Sequence, residues 1–189
     1  MIKKKIYTWQ DVEKMCVEIV NKMYADCWRP DYIVGITRGG NVPATIISNM
    51  TGIRCEALKV SLRDDRGHGS ESNTWMSEDA FGYVERKDRD DTWSEGKSNP
   101  KARRNILIVD DINDTGATFN WIKEDWMASC LPHSPAWEDV WGENVRWAVL
   151  TDNVASEFEH TVSYSCDEVN KEEEDVWLVY PWENVATYD

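Results

Sequence analysis

Residues 106–118, ILIVDDINDTGAT, constrain the fold of this chain more than any other stretch: four apolar residues run straight into two aspartates and then a turn of small residues. An apolar run without polar interruption reads as a strand buried on both faces, as in a parallel sheet covered by helices. The Asp-Thr-Gly-Ala-Thr turn after it would feed a helix. The first N–H groups of a helix lack intrahelical partners, and with two threonine hydroxyls beside them they form a cradle for a phosphate. Carboxylates next to that cradle point to a sugar phosphate and a metal ion.

The rest of the chain can be read around that strand. Thr8 with Asp11 has the pattern of an N-cap with an acid at its third position, and Val12, Met15, Cys16, Ile19, Val20 and Met23 recur at helical spacing, which predicts a helix ending near Asp26. Residues 32–36 form a short buried strand, followed by the loop Thr37-Arg38-Gly39-Gly40. Pro43 suits the first turn of a second helix, which runs to about Asn49 and is stopped by Thr51-Gly52; residues 53–62 form another strand. Residues 117–129 fit a helix with Phe119, Ile122, Trp126 and Met127 inward, ended by Pro132 and Pro135, with a further turn over 137–142. Strands follow at 145–150, 161–165 and 176–179, the last two divided by the acidic run 167–175, read as a solvated turn. Strands that alternate with helical segments predict an α/β fold with a doubly wound, mainly parallel sheet, and a small lobe from the termini over its carboxyl edge.

Residues 63–104 break this rhythm. They are polar, charged and glycine-bearing, with little period, and a structureless stretch of that length inside a domain is unusual. We read them as an active-site cover with a short hairpin near 81–86. The expected organisation is one domain over residues 1–189, with a core of about 27–153 interrupted by that cover and a C-terminal hood of about 154–189.

Composition narrows the partners. With 35 acidic against 21 basic residues and a formal charge of −14, the surface is unsuited to a nucleic-acid backbone, which needs many Lys and Arg contacts. Local binding of a polyanion through a metal ion and a few basic groups remains compatible with that balance. Lys3-Lys4-Lys5 leads into Ile6-Tyr7-Thr8-Trp9 rather than an apolar stretch, and nothing resembles a membrane span of about 20 apolar residues, so no secretory signal and no membrane partner are expected. Five scattered cysteines without a Cys-x-x-Cys pair fit a reducing cytoplasm. Of the eleven tryptophans some must fill the core, while Trp75 and Trp93 lie in polar stretches.

In doubly wound sheets ligands bind beyond the carboxyl ends of the strands, which gathers the loops after Ile36, Leu62 and Val109 around one crevice. Adjacent Asp110 and Asp111 suit vicinal sugar hydroxyls, as acceptors, and Mg²⁺, which takes few protein oxygens and completes its shell with phosphate and water. Asp114, in the turn, could act as a general base or hydrogen-bond a substrate nitrogen. Taken singly, the aspartates equally suit a helix cap or an Asx turn. Gly116 permits close backbone approach, Thr115 and Thr118 add hydroxyls, and Arg38 beside Gly39-Gly40 offers a fixed charge and amides to a second anion.

Together these segments resemble the type I phosphoribosyltransferases, most closely their bacterial and archaeal 6-oxopurine (xanthine-guanine and hypoxanthine) branch. VDDINDTGAT is similar to that family's motif for 5-phosphoribosyl 1-pyrophosphate (PRPP). GITRGGNVPA, about 70 residues upstream, resembles its pyrophosphate loop, and VWLVYPWE resembles its C-terminal hood. The resemblance covers roughly Tyr32 to Glu183 and implies Mg²⁺-dependent transfer of a 5-phosphoribosyl group from PRPP to a nucleobase, most readily a purine, in nucleotide salvage. It implies that Asp110 and Asp111 hold the ribose hydroxyls directly or through Mg²⁺. Asp114, Thr115, Gly116, Ala117 and Thr118 would hold the 5′-phosphate, with Asp114 also assisting proton transfer at the base. Thr37, Arg38, Gly39 and Gly40 would hold pyrophosphate, in a loop where the family often has a non-proline cis peptide. Trp177, with Leu178 beside it, would bind the base, and the segment from Arg63 would be the mobile cover. A homodimer is compatible with it.

One departure stands out. The family's 6-oxopurine enzymes carry a lysine after the strand that follows the phosphate helix, aimed at the base's exocyclic oxygen. Here Val149-Leu150 leads into Thr151-Asp152-Asn153. An ammonium donates to a carbonyl, whereas Asp only accepts and Asn does either, so the pattern points to an amino-bearing or unconventional base, unless a locally shifted alignment supplies a donor. A regulatory protein that senses PRPP or a nucleotide on the same fold is the competing reading. A nucleotide-binding oxidoreductase is not, because no Gly-x-Gly-x-x-Gly follows a strand.

Overall fold

Each apolar run becomes a strand and the periodic segments between them become helices on the faces of one sheet. The computed structural model describes residues 3–62, 70 and 72–183. In chain order the elements are β1 (Lys3–Ile6), α1 (Trp9–Ala25), β2 (Tyr32–Thr37), α2 (Asn41–Thr51), β3 (Cys55–Lys59), α3 (Thr74–Phe81), β4 (Tyr83–Lys87), β5 (Trp93–Ser98), β6 (Ile106–Asn113), α4 (Ala117–Ser129), β7 (Val145–Asn153), β8 (Tyr164–Val169) and β9 (Val176–Val179). Short 3₁₀ turns lie at Pro100–Ala102 and Pro135–Asp139.

Five strands form the main sheet in the order β3-β2-β6-β7-β8, parallel at every pairing. Both faces are covered, which explains the unbroken apolar run of β6. Ile106 and Ile108 enter a core with Phe119, Trp126 and Trp147, while Leu107 and Val109 enter the opposite one with Ile19, Ile33, Ala44 and Ile47. The helix α1 begins with a complete capping box between Thr8 and Asp11 and buries Val12, Cys16, Ile19 and Met23, a stripe of one residue per turn. The helix α2 ends at Gly52, whose φ of 71° is the left-handed conformation that closes helices. No helix among the described residues is long and apolar enough to cross a membrane.

A second, two-stranded parallel sheet joins β1 to β9 and so ties the termini into a small lobe, as expected. Tyr7 and Tyr180, just past those strands, stack at 5.0 Å. Both hydroxyls reach Thr151 Oγ1 on β7, at 3.1 and 2.9 Å, which fastens the lobe to the main sheet.

Several expectations change. Most of 63–104 is folded rather than structureless: α3, capped by Asn73, buries Met76, Ala80 and Phe81 beside α4, and Ser77 donates to the Trp126 carbonyl. The expected hairpin near 81–86 is there as the longer β4–β5 pair. Flanking charge dilutes the apolar signal of α3 to three core residues; residues 63–69 and 71 lie outside the described residues. The hood does not begin at 154, because β8 is the fifth strand of the main sheet, and the core does not begin at 27, because α1 packs on α2 and that sheet. The acidic run is only partly a turn: Asp167 belongs to β8, where Lys5 and Tyr7 bind it. Trp75 and Trp93 are exposed, at 43% and 65%.

Candidate functional site

The acidic pair stands inside β6 rather than beyond it, since the strand continues to Asn113, which pairs with Asp152 of β7. Asp110 Oδ1 accepts from the Asp111 N–H and Asp111 Oδ1 from the Ile112 N–H, both at 2.9 Å, so each carboxylate is held by the backbone next to it. The loop after β2 lies directly on this pair. A Cβ on Gly39 would come within 2.6 Å of Asp111 Cγ, and one on Gly40 within 2.8 Å of Asp110 Oδ1. Only glycine allows that approach. The Thr37–Arg38 peptide is cis, as the resemblance implied.

Beyond β6 the chain turns through Asp114, Thr115 and Gly116 into α4. Gly116 has φ 84°, and a Cβ there would also stand 2.7 Å from Phe158 Cα, so both conformation and packing require glycine. The Thr115 hydroxyl accepts from the Ala117 N–H at 3.3 Å. Thr37, Arg38 and Gly39, the acidic pair, and Asp114 through Thr118 line one cleft of about 480 Å³, with Glu183 of the hood at its margin. Gly40 lies beneath it against Asp110. The anion loop is thus at one end, the phosphate cradle at the other, and two carboxylates between them.

Burial and the neighbouring Asp111 charge push the Asp110 carboxyl well above the usual range, and burial also raises Asp111 against the N–H bonds it accepts. No ion pair among the described residues reaches either group. Nor do the described residues contain a cluster of three or more His, Cys, Asp or Glu side chains able to hold a metal by themselves. Two hard oxygens without a third protein ligand fit Mg²⁺, which commonly binds through one or two carboxylates and takes its remaining oxygens from a phosphorylated ligand and water.

The structure does not bring Trp177 and Leu178 into this cleft. Trp177 is 61% exposed on β9, and the Leu178 side chain is packed into the core, which leaves only its backbone to a ligand. Asp152 and Asn153, where a donor to the base was sought, are both turned inward. Asp152 Oδ1 accepts from Asn113 Nδ2 at 2.8 Å, and Asn153 Nδ2 donates to the Asp114 carbonyl at 2.8 Å. The group that meets Asp114 is one that sequence reasoning passed over: Lys171 Nζ, 2.8 Å from Asp114 Oδ1. A lone lysine in an acidic turn carries no local signal; only the pairing of β7 with β8 delivers it here. Tyr180 was likewise missed, and its hydroxyl lies 3.1 Å from the Asp111 carbonyl, which accepts from it.

Comparison with known proteins agrees with this geometry. A family model described as a phosphoribosyl transferase domain matches residues 3–181. A hypoxanthine-guanine phosphoribosyltransferase of Schizosaccharomyces pombe is 23% identical, over 94% of this chain and 87% of that protein. Among solved structures, a purine phosphoribosyltransferase from Pyrococcus horikoshii superposes with a TM-score of 0.60 at 20% identity, covering 96% of this chain and 94% of the other. A Helicobacter pylori xanthine-guanine-hypoxanthine phosphoribosyltransferase gives 0.60 at 17% identity, covering 98% and 97%.

Proposed function

Because this chain belongs to the phosphoribosyl transferase domain family, we propose that it transfers the 5-phosphoribosyl group of PRPP to a purine base, releases pyrophosphate, and depends on Mg²⁺ to do so. The observation that carries this reading is the single cleft with an anion loop at one end, a phosphate cradle at the other and an uncompensated acidic pair between. A sugar with phosphate on one carbon and pyrophosphate on another matches that order of charges. The relatives named for hypoxanthine, guanine and xanthine support a purine as acceptor.

The roles follow from the charges. Thr115, Thr118 and the free N–H groups opening α4 hold the 5′-phosphate. Arg38 and the Gly39 amide hold the pyrophosphate, and Asp110 and Asp111 accept from the ribose hydroxyls. These two carboxylates would also hold Mg²⁺, which when bound supplies positive charge against the departing pyrophosphate. As the bond from the anomeric carbon to pyrophosphate oxygen breaks, positive charge grows on the ribose, and in this reading the two carboxylates stabilise it. The new bond forms to a ring nitrogen of the base, whose proton Asp114 accepts. The setting we propose is nucleotide salvage in the cytoplasm, where five free cysteines are at home.

The test is pyrophosphate release from PRPP with Mg²⁺ and a panel of hypoxanthine, guanine, xanthine and adenine. Base-dependent release with formation of the nucleotide is expected. PRPP binding without transfer to any base would favour the sensing alternative.

A further inference from the structure

The chain that leaves β9 turns back on itself at once. The Glu183 N–H donates to the Tyr180 carbonyl at 3.0 Å, and the Tyr180 N–H donates to Glu183 Oε2 at 3.1 Å, so residues 180–183 form a closed turn with Pro181 in the place that suits it. The turn lays the Trp182 ring flat on Tyr180, with centroids 5.0 Å apart and planes 2° from parallel. Tyr180 in turn stacks on Tyr7, and Trp9 leans on Trp182 at 5.9 Å. A ring held in such a stack has its plane fixed, and with it the direction of its one N–H. Both ends of the turn reach the site: the Tyr180 hydroxyl donates to the Asp111 carbonyl, and Glu183 lines the cleft together with Asp111. Trp182, between them, has its Nε1 atom buried and without a hydrogen-bond partner among the described residues. It lies beside the Asp111 carboxyl, which desolvation raises and which the indole N–H is among the donors to draw back down.

We infer that Trp182 is a positioning residue of the site: in the occupied cleft its indole N–H donates to the Asp111 carboxylate and fixes the direction in which that carboxylate meets the metal and the sugar. The inference rests on the transferase reading above. Asp111 Oδ1 accepts from the N–H of Ile112, a contact within its own strand, and a Cβ on Gly39 would overlap Oδ2, so the loop after β2 crowds the other oxygen. A donor from outside the strand stops the carboxylate swinging about that local anchor, provided the donor is itself locked by packing. Trp182 meets the condition through its stack on Tyr180. Its chemistry suits the place as well. An indole N–H donates and carries no charge, so it can orient a carboxylate without neutralising it, whereas a lysine or arginine there would form an ion pair and compete with the metal. One turn of the hood thus governs both parts of the same residue, Tyr180 the backbone of Asp111 and Trp182 its side chain.

The experiment joins proton–nitrogen correlation NMR of the tryptophan side chains to calorimetry with PRPP. Each of the eleven tryptophans gives one indole signal, and the signal missing from Trp182→Phe is that of Trp182. It should move in Asp111→Ala, and in the wild type on addition of Mg²⁺ and PRPP. Trp182→Phe keeps a ring on Tyr180 and loses the donor; it should weaken Mg²⁺-dependent PRPP binding and lower kcat/KM for PRPP by about 10- to 100-fold, the range of a hydrogen bond to a charged group. Trp182→Leu, without a ring, should lose no more than about threefold beyond that, and Trp9→Phe should stay within about twofold of wild type, because neither packing nor the neighbouring ring is the source of the effect. PRPP binding by Trp182→Phe within about twofold of wild type, a loss confined to Trp182→Leu, or a Trp182 signal unmoved in Asp111→Ala overturns this role and leaves the transferase reading intact. Where Trp182→Phe fails to fold, the wild-type signal is assigned through its own backbone, and its failure to move with Mg²⁺ and PRPP overturns the role. No PRPP binding by the wild type overturns both.

Discussion

Two carboxylate centres lie on strands two apart in the main sheet, and the protein treats them oppositely. On β8, Asp167 works against its own partial burial with an ion pair to Lys5 and a 2.6 Å hydrogen bond from Tyr7, which hold its carboxyl below the usual range. On β6, Asp110 and Asp111 stand half-buried side by side, no ion pair among the described residues reaches them, and desolvation pushes both carboxyls upward. The first charge is neutralised by the fold, so it fastens the hood to the sheet. Under the proposed function the second is the one a ligand neutralises, so it is costly in the empty protein and useful in the occupied one. The two are joined through side chains: Asp167 to Tyr7, Tyr7 to Thr151, Thr151 to Tyr180, and Tyr180 to the Asp111 carbonyl. The satisfied centre props the unsatisfied one.

The strongest way to break this contrast is Asp111→Ala. Loss of a group that faces developing charge should lower turnover by about 100- to 1000-fold and weaken Mg²⁺-dependent PRPP binding in calorimetry; unchanged turnover and Mg²⁺ dependence would contradict the assignment. Gly39→Ala tests the same carboxylate without removing it. The new Cβ would displace Asp111, and a shift of about 1 Å at a reacting centre predicts a loss on the order of 100-fold, with an unaltered circular dichroism spectrum.

Smaller effects fall on stability, with opposite signs at the two centres. Asp167→Asn should destabilise by about 1–3 kcal/mol in urea titration at pH 7. A depressed folded pKa contributes stability that is present above the ordinary carboxylate range and lost as pH falls through the folded value, so wild type and variant should converge in acid. Asp110→Asn should do the reverse. A raised folded pKa means that the empty protein loses stability as pH climbs from about 4 through the elevated value, so the variant should melt about 2–4 °C higher at pH 7. That advantage should vanish near pH 4, while the variant transfers more slowly. A variant that melts lower at pH 7 would show that Asp110 is not held at a cost.

The site divides along the same line in how far it could be read from sequence. The acidic pair with the phosphate turn, and separately the Arg38 loop, are each a short continuous segment, and their local pattern of apolar strand, carboxylates and small residues reports directly on what they do. The strand β9 and the capping box of α1 are legible for the same reason. Lys171, Asn153 and Tyr180 are not, since each acts only after β7, β8 and β9 have brought distant segments together. The helix α3 hides for another reason: three core residues suffice to dock it, too few to stand out among polar neighbours. The strand β1 is also opaque, because three lysines in a row mask a pairing that relies on the backbone of β9.

The central claim is that the charge left uncompensated on β6 is completed by a metal and a pyrophosphorylated sugar. Its most direct test is the initial rate of pyrophosphate release from PRPP with hypoxanthine as acceptor, measured with Mg²⁺, with EDTA, and after Mg²⁺ is restored. Transfer that collapses in EDTA and returns with Mg²⁺ is the predicted result. A full rate in EDTA, or no release at any Mg²⁺ concentration, would contradict it.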